Sequence, residues 1–214
     1  MKITTQSQYP QYRTTPQFKG LLTSTCANLN IYKIEDNFDL KFVKDLERKI
    51  NFESLMPGLS KSQYSRWHEM LEYAVYNASN PNNITYIATS NNKVCGIITY
   101  FPDKTTSLDC ICTWPVEVGK KVKFGGKALF RQVFEDFFKQ NGTRMKLEAI
   151  TNGPFDTISK YEPLGFHTTS DIYPTKVVME ANKYKIKESL DFLNGLLHYK
   201  KVPPKKVNLR ELEI

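Results

Sequence analysis

One segment limits the possible folds of this chain more than any other, the run "GGKALFRQVFEDFFKQNG" at residues 125–142. Its apolar side chains recur at helical spacing and form one broad stripe, made of Leu129, Phe130, Val133, Phe134, Phe137 and Phe138. Asn141-Gly142 is typical of a helix end. The flanking segments 106–116 and 144–150 read as strands. A strand–helix–strand unit usually forms a right-handed parallel crossover, and a ligand site is expected where such a parallel pair opens.

The remaining elements predict a mixed α/β fold. Further strands are expected at 28–35, 84–90, 93–101, 166–169 and 175–182, with a hairpin turn at Asn91-Asn92. Further helices are expected at 36–51 (N-cap Asp36 or Asn37), from Ser60 to the Asn-rich run 77–83, at 154–162 and at 184–199. The order predicts a mixed, mostly antiparallel central sheet with helices on both faces. We expect an extension at 1–27, packed on the domain or mobile, a domain at 28–182, and a helix with a basic tail at 183–214.

Composition narrows the partners and the compartment. The chain has 214 residues, of which 40% are hydrophobic, a net charge of +8 and a pI of about 9.2. The positive charge favours polyanionic partners such as nucleic acid, a membrane surface or a phosphate-rich cofactor, although ordinary solubility explains it equally well. No apolar run is long enough to cross a bilayer, and no signal peptide is visible. We therefore expect a cytoplasmic protein that does not bind membranes.

The cysteines and histidines point to no metal site and no cysteine chemistry. Cys26, Cys95, Cys110 and Cys112 form no CxxC pair and lie far from histidines, so they are expected to be buried thiols in a reducing compartment. His68, His167 and His198 are too scattered to bind a metal.

The loop before the strongest helix has the features of an anion site. In "GKKVKFGGK" (119–127), glycines allow close approach of a ligand to the backbone, and the helix start offers free N–H groups. Lysines at such a helix start oppose the helix dipole unless an anion is bound. A solvated basic loop is the alternative.

These motifs together resemble those of the GNAT superfamily of N-acetyltransferases. The resemblance covers roughly residues 28–182 and is sharpest over 108–166. The acetyl-CoA loop of that family reads Arg/Gln-x-x-Gly-x-Gly/Ala, and here Lys121 takes the first position, Phe124 the first glycine and Gly126 the last position. The resemblance implies acetyl-CoA as co-substrate, bound by Val116, Val118, Lys121, Lys123, Phe124, Gly125, Gly126, Lys127 and Asn152. Backbone amides on the strand before the loop would polarise the thioester carbonyl.

The same resemblance gives a role to "YEPLGF" (161–166). In many GNAT enzymes the tyrosine of this motif protonates the leaving CoA thiolate, which implies Tyr161 as the general acid. A phenol has a pKa near 10, so it keeps its proton at neutral pH. The alternative is a tyrosine that packs on the cofactor or the core.

The general base is left open. Glu148 and Asp109 are the first candidates for taking the proton of the acceptor amine, followed by Glu117 and His68, and a water relay serves equally well. Each carboxylate, taken alone, is more often structural.

The resemblance predicts an acyl-CoA-dependent N-acetyltransferase in which an amine attacks the thioester directly. The acceptor is a small-molecule or a protein or peptide amine, and the protein is a monomer or homodimer. Residues of the first helices (Phe52, Met56, Tyr64, Trp67, His68, Glu69 and Glu72) would form an acidic, aromatic pocket for a small cationic amine. The basic surface instead suits an RNA-linked or acidic protein acceptor.

Two alternatives to an enzyme remain. One is a non-catalytic GNAT-fold binding or regulatory protein, favoured by Phe124. The other is a nucleic-acid-binding protein, favoured by the lysine-rich tail, although a solvated arm explains that tail more simply.

Overall fold

The computed structural model describes residues 20–35 and 37–214 and contains one nine-stranded sheet. The strands are β1 (Gly20–Cys26), β2 (Leu29–Lys33), β3 (Ile84–Ser90), β4 (Lys93–Phe101), β5 (Thr105–Thr113), β6 (Arg144–Ile150), β7 (His167–Ile172), β8 (Lys176–Asn182) and β9 (Lys200–Val207). Their order across the sheet is β7-β8-β6-β5-β4-β3-β2-β1-β9. Every neighbouring pair is antiparallel except β5 and β6, so the predicted mixed, mostly antiparallel sheet is confirmed.

Helices cover both faces of this sheet, as predicted. They are α1 (Asn37–Lys49), α2 (Phe52–Leu55), α3 (Lys61–Ala78), α4 (Gly125–Lys139), α5 (Ile158–Tyr161) and α6 (Lys183–Leu196), with 3-10 turns at Glu162–Leu164 and Leu209–Glu211. One apolar core holds the buried faces of α1, α2 and α3, and the other holds those of α4 and α6. Within the described residues, no helix is long and apolar enough to span a bilayer.

The parallel pair separates soon after it forms. β5 and β6 are paired from Thr105↔Arg144 to Leu108↔Leu147, and the later residues of both strands are unpaired with each other. At that point β5 carries a bulge against β4, because Tyr100 pairs with Leu108 and Thr99 with Cys110. Asp109 is the extra residue. A bulge bends its strand and increases the local twist, so it accounts for the divergence of β5 from β6.

Several local predictions are confirmed in detail. The strands at 84–90, 93–101 and 144–150 have the predicted bounds, and Asn91 and Asn92 both take the positive φ that a tight hairpin needs. Ser60 caps α3 in a reciprocal capping box with Gln63. For the first helix, Asp36 and the side chain of Asn37 lie outside the described residues.

Two segments that the sequence placed outside the central domain belong to its sheet. Residues 20–26 of the predicted extension form β1, which pairs with β2. The basic tail is β9, an edge strand antiparallel to β1, and not a solvated arm. An edge strand tolerates Pro203 and Pro204, and its exposed lysines discourage pairing with another chain.

A buried carboxylate fixes the position of α4 on the sheet. Asp136 accepts hydrogen bonds from the hydroxyls of Tyr86 on β3 and Tyr100 on β4, the latter at 3.0 Å. Burial and the Asp136 charge raise the pKa of both tyrosines well above the usual value, so both hydroxyls remain donors. With the fully buried Phe134 and Phe137 on the same helix, this contact orients α4 so that its N-terminus lies beside the open end of β5.

The helix α4 ends in a Schellman motif, which explains the predicted stop. Asn141 has φ 55°, and the Gly142 N–H donates to the Phe137 carbonyl at 2.8 Å. The left-handed residue is therefore Asn141. Gly142 is required for space, because a Cβ there would lie 2.3 Å from the Phe137 ring.

We predict that Gly142→Ala lowers the free energy of unfolding by about 1–3 kcal/mol, since the buried Phe137 ring cannot give way without disturbing the core. Gly195→Ala is the matched control, because nothing lies within 4 Å of a Cβ at that position of α6. We expect the control to be neutral or to stabilise by up to about 1 kcal/mol through helix propensity. Chemical denaturation of both variants measures the difference, and equal effects would contradict this account of the turn.

Candidate functional site

A cleft of about 690 Å³ opens where β5 and β6 diverge. Its walls come from both sides of the sheet. The α4 N-terminus and the α5 region line one side, and α3 lines the other. The cleft therefore passes through the gap in the sheet, and a ligand on the α4 side can meet a second ligand on the α3 side.

The N-terminus of α4 supplies unpaired backbone donors to this cleft. The first hydrogen bond of the helix runs from the Ala128 N–H to the Phe124 carbonyl, at 2.9 Å. Within the described chain, this leaves the N–H groups of Gly125, Gly126 and Lys127 without a helical partner. All three residues line the cleft. Together with the helix dipole, these groups form a site suited to an anion such as phosphate.

Lysines increase the positive charge around these donors. Lys121, Lys127 and Lys160 line the cleft. Desolvation, and then repulsion from Lys121, lower the pKa of Lys160 below its usual value, and attraction to Asp156 opposes them. By contrast, Lys120 is paired with Glu117 at 2.7 Å, outside the cleft lining.

Phe124, which stands where the family motif usually has glycine, has a backbone conformation that favours glycine. Its φ is 70° and its ψ is 5°, in the left-handed region. The ring packs against the core and lies 4.9 Å from the Lys123 ammonium and 5.8 Å from that of Lys127. The loop therefore has the glycine-type turn at some cost in strain, and ring contacts offset that cost.

Tyr161 lines the cleft on the same side of the sheet as the α4 N-terminus. Its ring packs against Phe130 and Phe166, with centroids 5.8 Å and 6.4 Å away. Burial raises the pKa of its hydroxyl to about 12, with a smaller contribution from Cys110. The group stays protonated at neutral pH.

The rest of the "YEPLGF" motif holds Tyr161 in place. Pro163 lies in the 3-10 turn Glu162–Leu164, and Gly165 ends it with φ 88°. A Cβ at Gly165 would lie 3.0–3.1 Å from atoms of Lys185 and Ser189 on α6, so only glycine fits this close approach. The chain then turns into Phe166, which packs against Tyr161.

The predicted base candidates occupy different environments. Glu148 lines the cleft, and both of its carboxylate oxygens accept hydrogen bonds from Lys176 at 2.8 Å. Asp109 does not line the cleft. It forms the bulge and accepts a hydrogen bond from the Asn83 amide at 2.8 Å, and burial raises its pKa. Its unusual mid-strand position thus marks the bulge.

Of the residues predicted to bind the cofactor, some line the cleft and others do not. Lys121, Phe124, Gly125, Gly126 and Lys127 line the cleft, whereas Val116, Val118, Lys123 and Asn152 do not. The four cysteines are buried, as expected, and burial raises the pKa of Cys95 and Cys110 to about 12. No cluster of metal-ligating side chains occurs among the described residues.

The α3 side differs from the expected acidic pocket. Trp67 lines the cleft, but His68, Glu69 and Glu72 have side chains 51–58% exposed and lie outside its lining. Phe52, Met56 and Tyr64 also lie outside it, and Tyr64 donates to the Met56 carbonyl. The cleft instead receives Arg66 from α3 and Phe155 from the loop after β6.

The indole of Trp67 orients the open edge of β5. Its Nε1–H donates to the Thr113 carbonyl at 2.7 Å, while the next N–H, of Trp114, donates to the Cys95 carbonyl on β4. Peptide groups alternate in direction along a strand, so the Thr113 N–H is directed away from β4 and toward the cleft that Thr113 lines.

We predict that Phe124→Gly is more stable than Phe124→Ala by about 1 kcal/mol. Both changes remove the ring, so their difference reports only the left-handed φ. Denaturant unfolding of the two variants measures it. Equal stabilities would mean that the turn relaxes to negative φ and that Phe124 does not substitute for the glycine.

Comparison with known proteins finds this architecture among solved structures. Apo FdhC, described as a nucleotide-linked sugar GNAT, aligns with a TM-score of 0.54 and 15% identity over 82% of this chain and 98% of its own. The PaiA N-acetyltransferase from Thermoplasma acidophilum, in complex with coenzyme A, aligns with a TM-score of 0.51 and 16% identity over 72% of this chain and 98% of its own. No family model and no curated protein sequence matches. The chain therefore has the fold of the GNAT superfamily of acetyltransferases.

Proposed function

We propose that the protein is an acyl-CoA-dependent N-acyltransferase that transfers an acetyl group from acetyl-CoA to an amine. The observation that carries the proposal is the cleft between β5 and β6, because a helix start suited to an anion and a protonated tyrosine both line it. The structural neighbours are acetyltransferases, and one of them was solved with coenzyme A.

The backbone N–H groups at the start of α4 indicate how the cofactor binds. The pyrophosphate of CoA binds the N–H groups of Gly125, Gly126 and Lys127, with Lys121 nearby. The pantetheine arm lies along the unpaired edge of β5 and brings the thioester toward Tyr161. The Thr113 N–H is a suitable donor to the thioester carbonyl oxygen, where negative charge develops during attack.

The chemistry is a direct acyl transfer. The neutral amine attacks the thioester carbonyl carbon, a C–N bond forms, and the C–S bond breaks. The amine proton passes to Glu148 or to water, and the CoA thiolate finally gains a proton to give free CoA and the amide.

Tyr161 stabilises the leaving sulfur. Its pKa of about 12 lies above the ordinary thiol value of about 8.5, so complete proton transfer to a free thiolate is uphill. A hydrogen bond from the Tyr161 hydroxyl to the sulfur is favourable, because it needs no complete proton transfer and strengthens as negative charge develops on the sulfur. We therefore assign Tyr161 to stabilising the charge on the leaving sulfur by a hydrogen bond, while solvent or the amine proton finally protonates the thiolate.

The non-catalytic alternative rests on Phe124. Its left-handed backbone argues against loss of the pocket, since the N–H groups that follow it keep the geometry that a glycine would give. The nucleic-acid alternative rests on the tail, whose lysines lie on the edge strand β9.

Isothermal titration with acetyl-CoA and with desulfo-CoA tests the proposal. We expect micromolar binding of both, since the pyrophosphate site does not involve the sulfur. A folded protein that binds neither would overturn the proposal.

We predict that the double change Lys121→Gln, Lys127→Gln raises the Kd of acetyl-CoA about 10-fold or more, because each lysine loses a charged contact to phosphate. Lys205→Gln is the control, since β9 lies five strands from β5. The Kd of the control should be unchanged and should respond to salt as in the wild type. An equal effect of both changes would point to general charge attraction.

We predict that Tyr161→Phe lowers kcat about 100-fold with little change in the Kd of acetyl-CoA. Because the pKa of Tyr161 is raised to about 12, its protonated form persists through neutral and mildly alkaline pH. The pH profile of the wild type should therefore show no loss of rate from this group below about pH 11. Unchanged kcat in the variant would assign Tyr161 to packing.

A further inference from the structure

The charges of the cleft are strongly unequal. Among the described residues that line it, Arg66, Lys121, Lys127 and Lys160 are cationic and Glu148 alone is acidic. The carboxylate of Glu148 is already paired with Lys176. The phosphates of a CoA would compensate lysines at the α4 N-terminus. They would not compensate the charge of Arg66, because Arg66 comes from the other side of the sheet.

Arg66 lies among apolar groups on the α3 side. Trp67 and Phe155 pack edge to face, with ring centroids 4.4 Å apart, and Met70 lines the same region. The Lys160 ammonium lies 5.2 Å from the centroid of Phe155. This part of the cleft thus combines an aromatic wall with two cations.

Arg66 lines the cleft and can contact a ligand there. One of its terminal nitrogens contacts Glu69 at 2.8 Å within one helix turn, and the side chains are 23% and 58% exposed, respectively, so this contact involves one of the three guanidinium nitrogens. Its Nε lies 3.5 Å from the position that a Cβ of Gly153 would take, so the absence of a side chain there lets the loop after β6 pack against the guanidinium. The planar guanidinium is well suited to bind a carboxylate or phosphate with two hydrogen bonds.

We propose that the acceptor is a primary amine that also carries an anionic group, a carboxylate or a phosphate, which Arg66 binds on the α3 side of the cleft. This proposal rests on the acyltransferase function above. It replaces the small cationic amine expected from the helix sequences, because the acidic side chains of α3 lie outside the cleft.

The same cations help the chemistry. A positive charge near an amine disfavours its ammonium form and so increases the fraction of the neutral nucleophile. A polyamine, in contrast, would bring several further positive charges into a cationic cleft. The cleft therefore selects against polycations while it favours deprotonation of a bound, anion-anchored amine.

Matched pairs of acceptors test the proposal at saturating acetyl-CoA. Phenylalanine is compared with phenylalaninamide, and phosphoethanolamine with ethanolamine, with spermidine as the polycation. We expect kcat/KM to be higher for the anionic member of at least one pair, and the pair that shows it identifies carboxylate or phosphate. The amide has the less basic amine, so this comparison is biased against the proposal. Equal or higher kcat/KM for the members that lack the anionic group, turnover of spermidine alone, or no turnover of any acceptor overturns it.

Two variants connect the preference to Arg66. Arg66→Gln should lower kcat/KM for the preferred anionic acceptor about 10- to 100-fold. The kcat/KM of the matched acceptor that lacks the anionic group should change by no more than about twofold. Glu69→Gln removes the ion pair but keeps the guanidinium, and should leave both values unchanged or raise that of the anion. An equal loss for both acceptors in Arg66→Gln overturns the proposal. Titration of each variant with acetyl-CoA separates these outcomes from failure of the enzyme function itself, since CoA binding should persist.

Discussion

The end of pairing between β5 and β6 is the constraint on which the rest of the site depends. A continuous sheet would leave no space for a ligand, because neighbouring strands lie only about 4.8 Å apart. Here the two strands pair at four positions and then separate at the Asp109 bulge. β5 stays paired with β4 and β6 with β8, so each strand keeps its outer partner and both have free edges toward the gap.

The gap joins groups that are distant in sequence. The start of α4 faces it because the Asp136 carboxylate holds the helix against Tyr86 and Tyr100. Tyr161 lines it, and the left-handed Gly165 turns the chain so that Phe166 packs against the tyrosine ring. From the opposite side, Trp67 reaches the Thr113 carbonyl at the open edge of β5. Rigid elements therefore position the α4 N-terminus, Tyr161 and Trp67 around one opening.

Local patterns in the sequence predict the elements that local chemistry controls. The period of α4, the capping box at Ser60 and the Asn91-Asn92 turn each depend on neighbours within a few residues, and each is confirmed. Tyr161 and Gly126 were found in the cleft because a family motif links them to it.

Features that depend on contacts between distant parts of the chain could not be predicted from local sequence patterns. The lysine-rich β9 has the composition of a solvated arm, and only its pairing with β1 makes it a strand. Arg66 looks like any surface arginine of α3, since nothing local indicates that the loop at Gly153 and Phe155 folds over it. Asp109 has the residue type of a base but marks a bulge, which is visible only in the register with β4.

The most direct measurement is a crystal structure of the protein with acetyl-CoA bound. The account predicts pyrophosphate oxygens within hydrogen-bond distance of the N–H groups of Gly125, Gly126 and Lys127, and the thioester in the gap beside Tyr161. A cofactor bound elsewhere, such as in the shallow groove between α6 and the Glu162–Leu164 turn, with the gap between β5 and β6 empty, would contradict it.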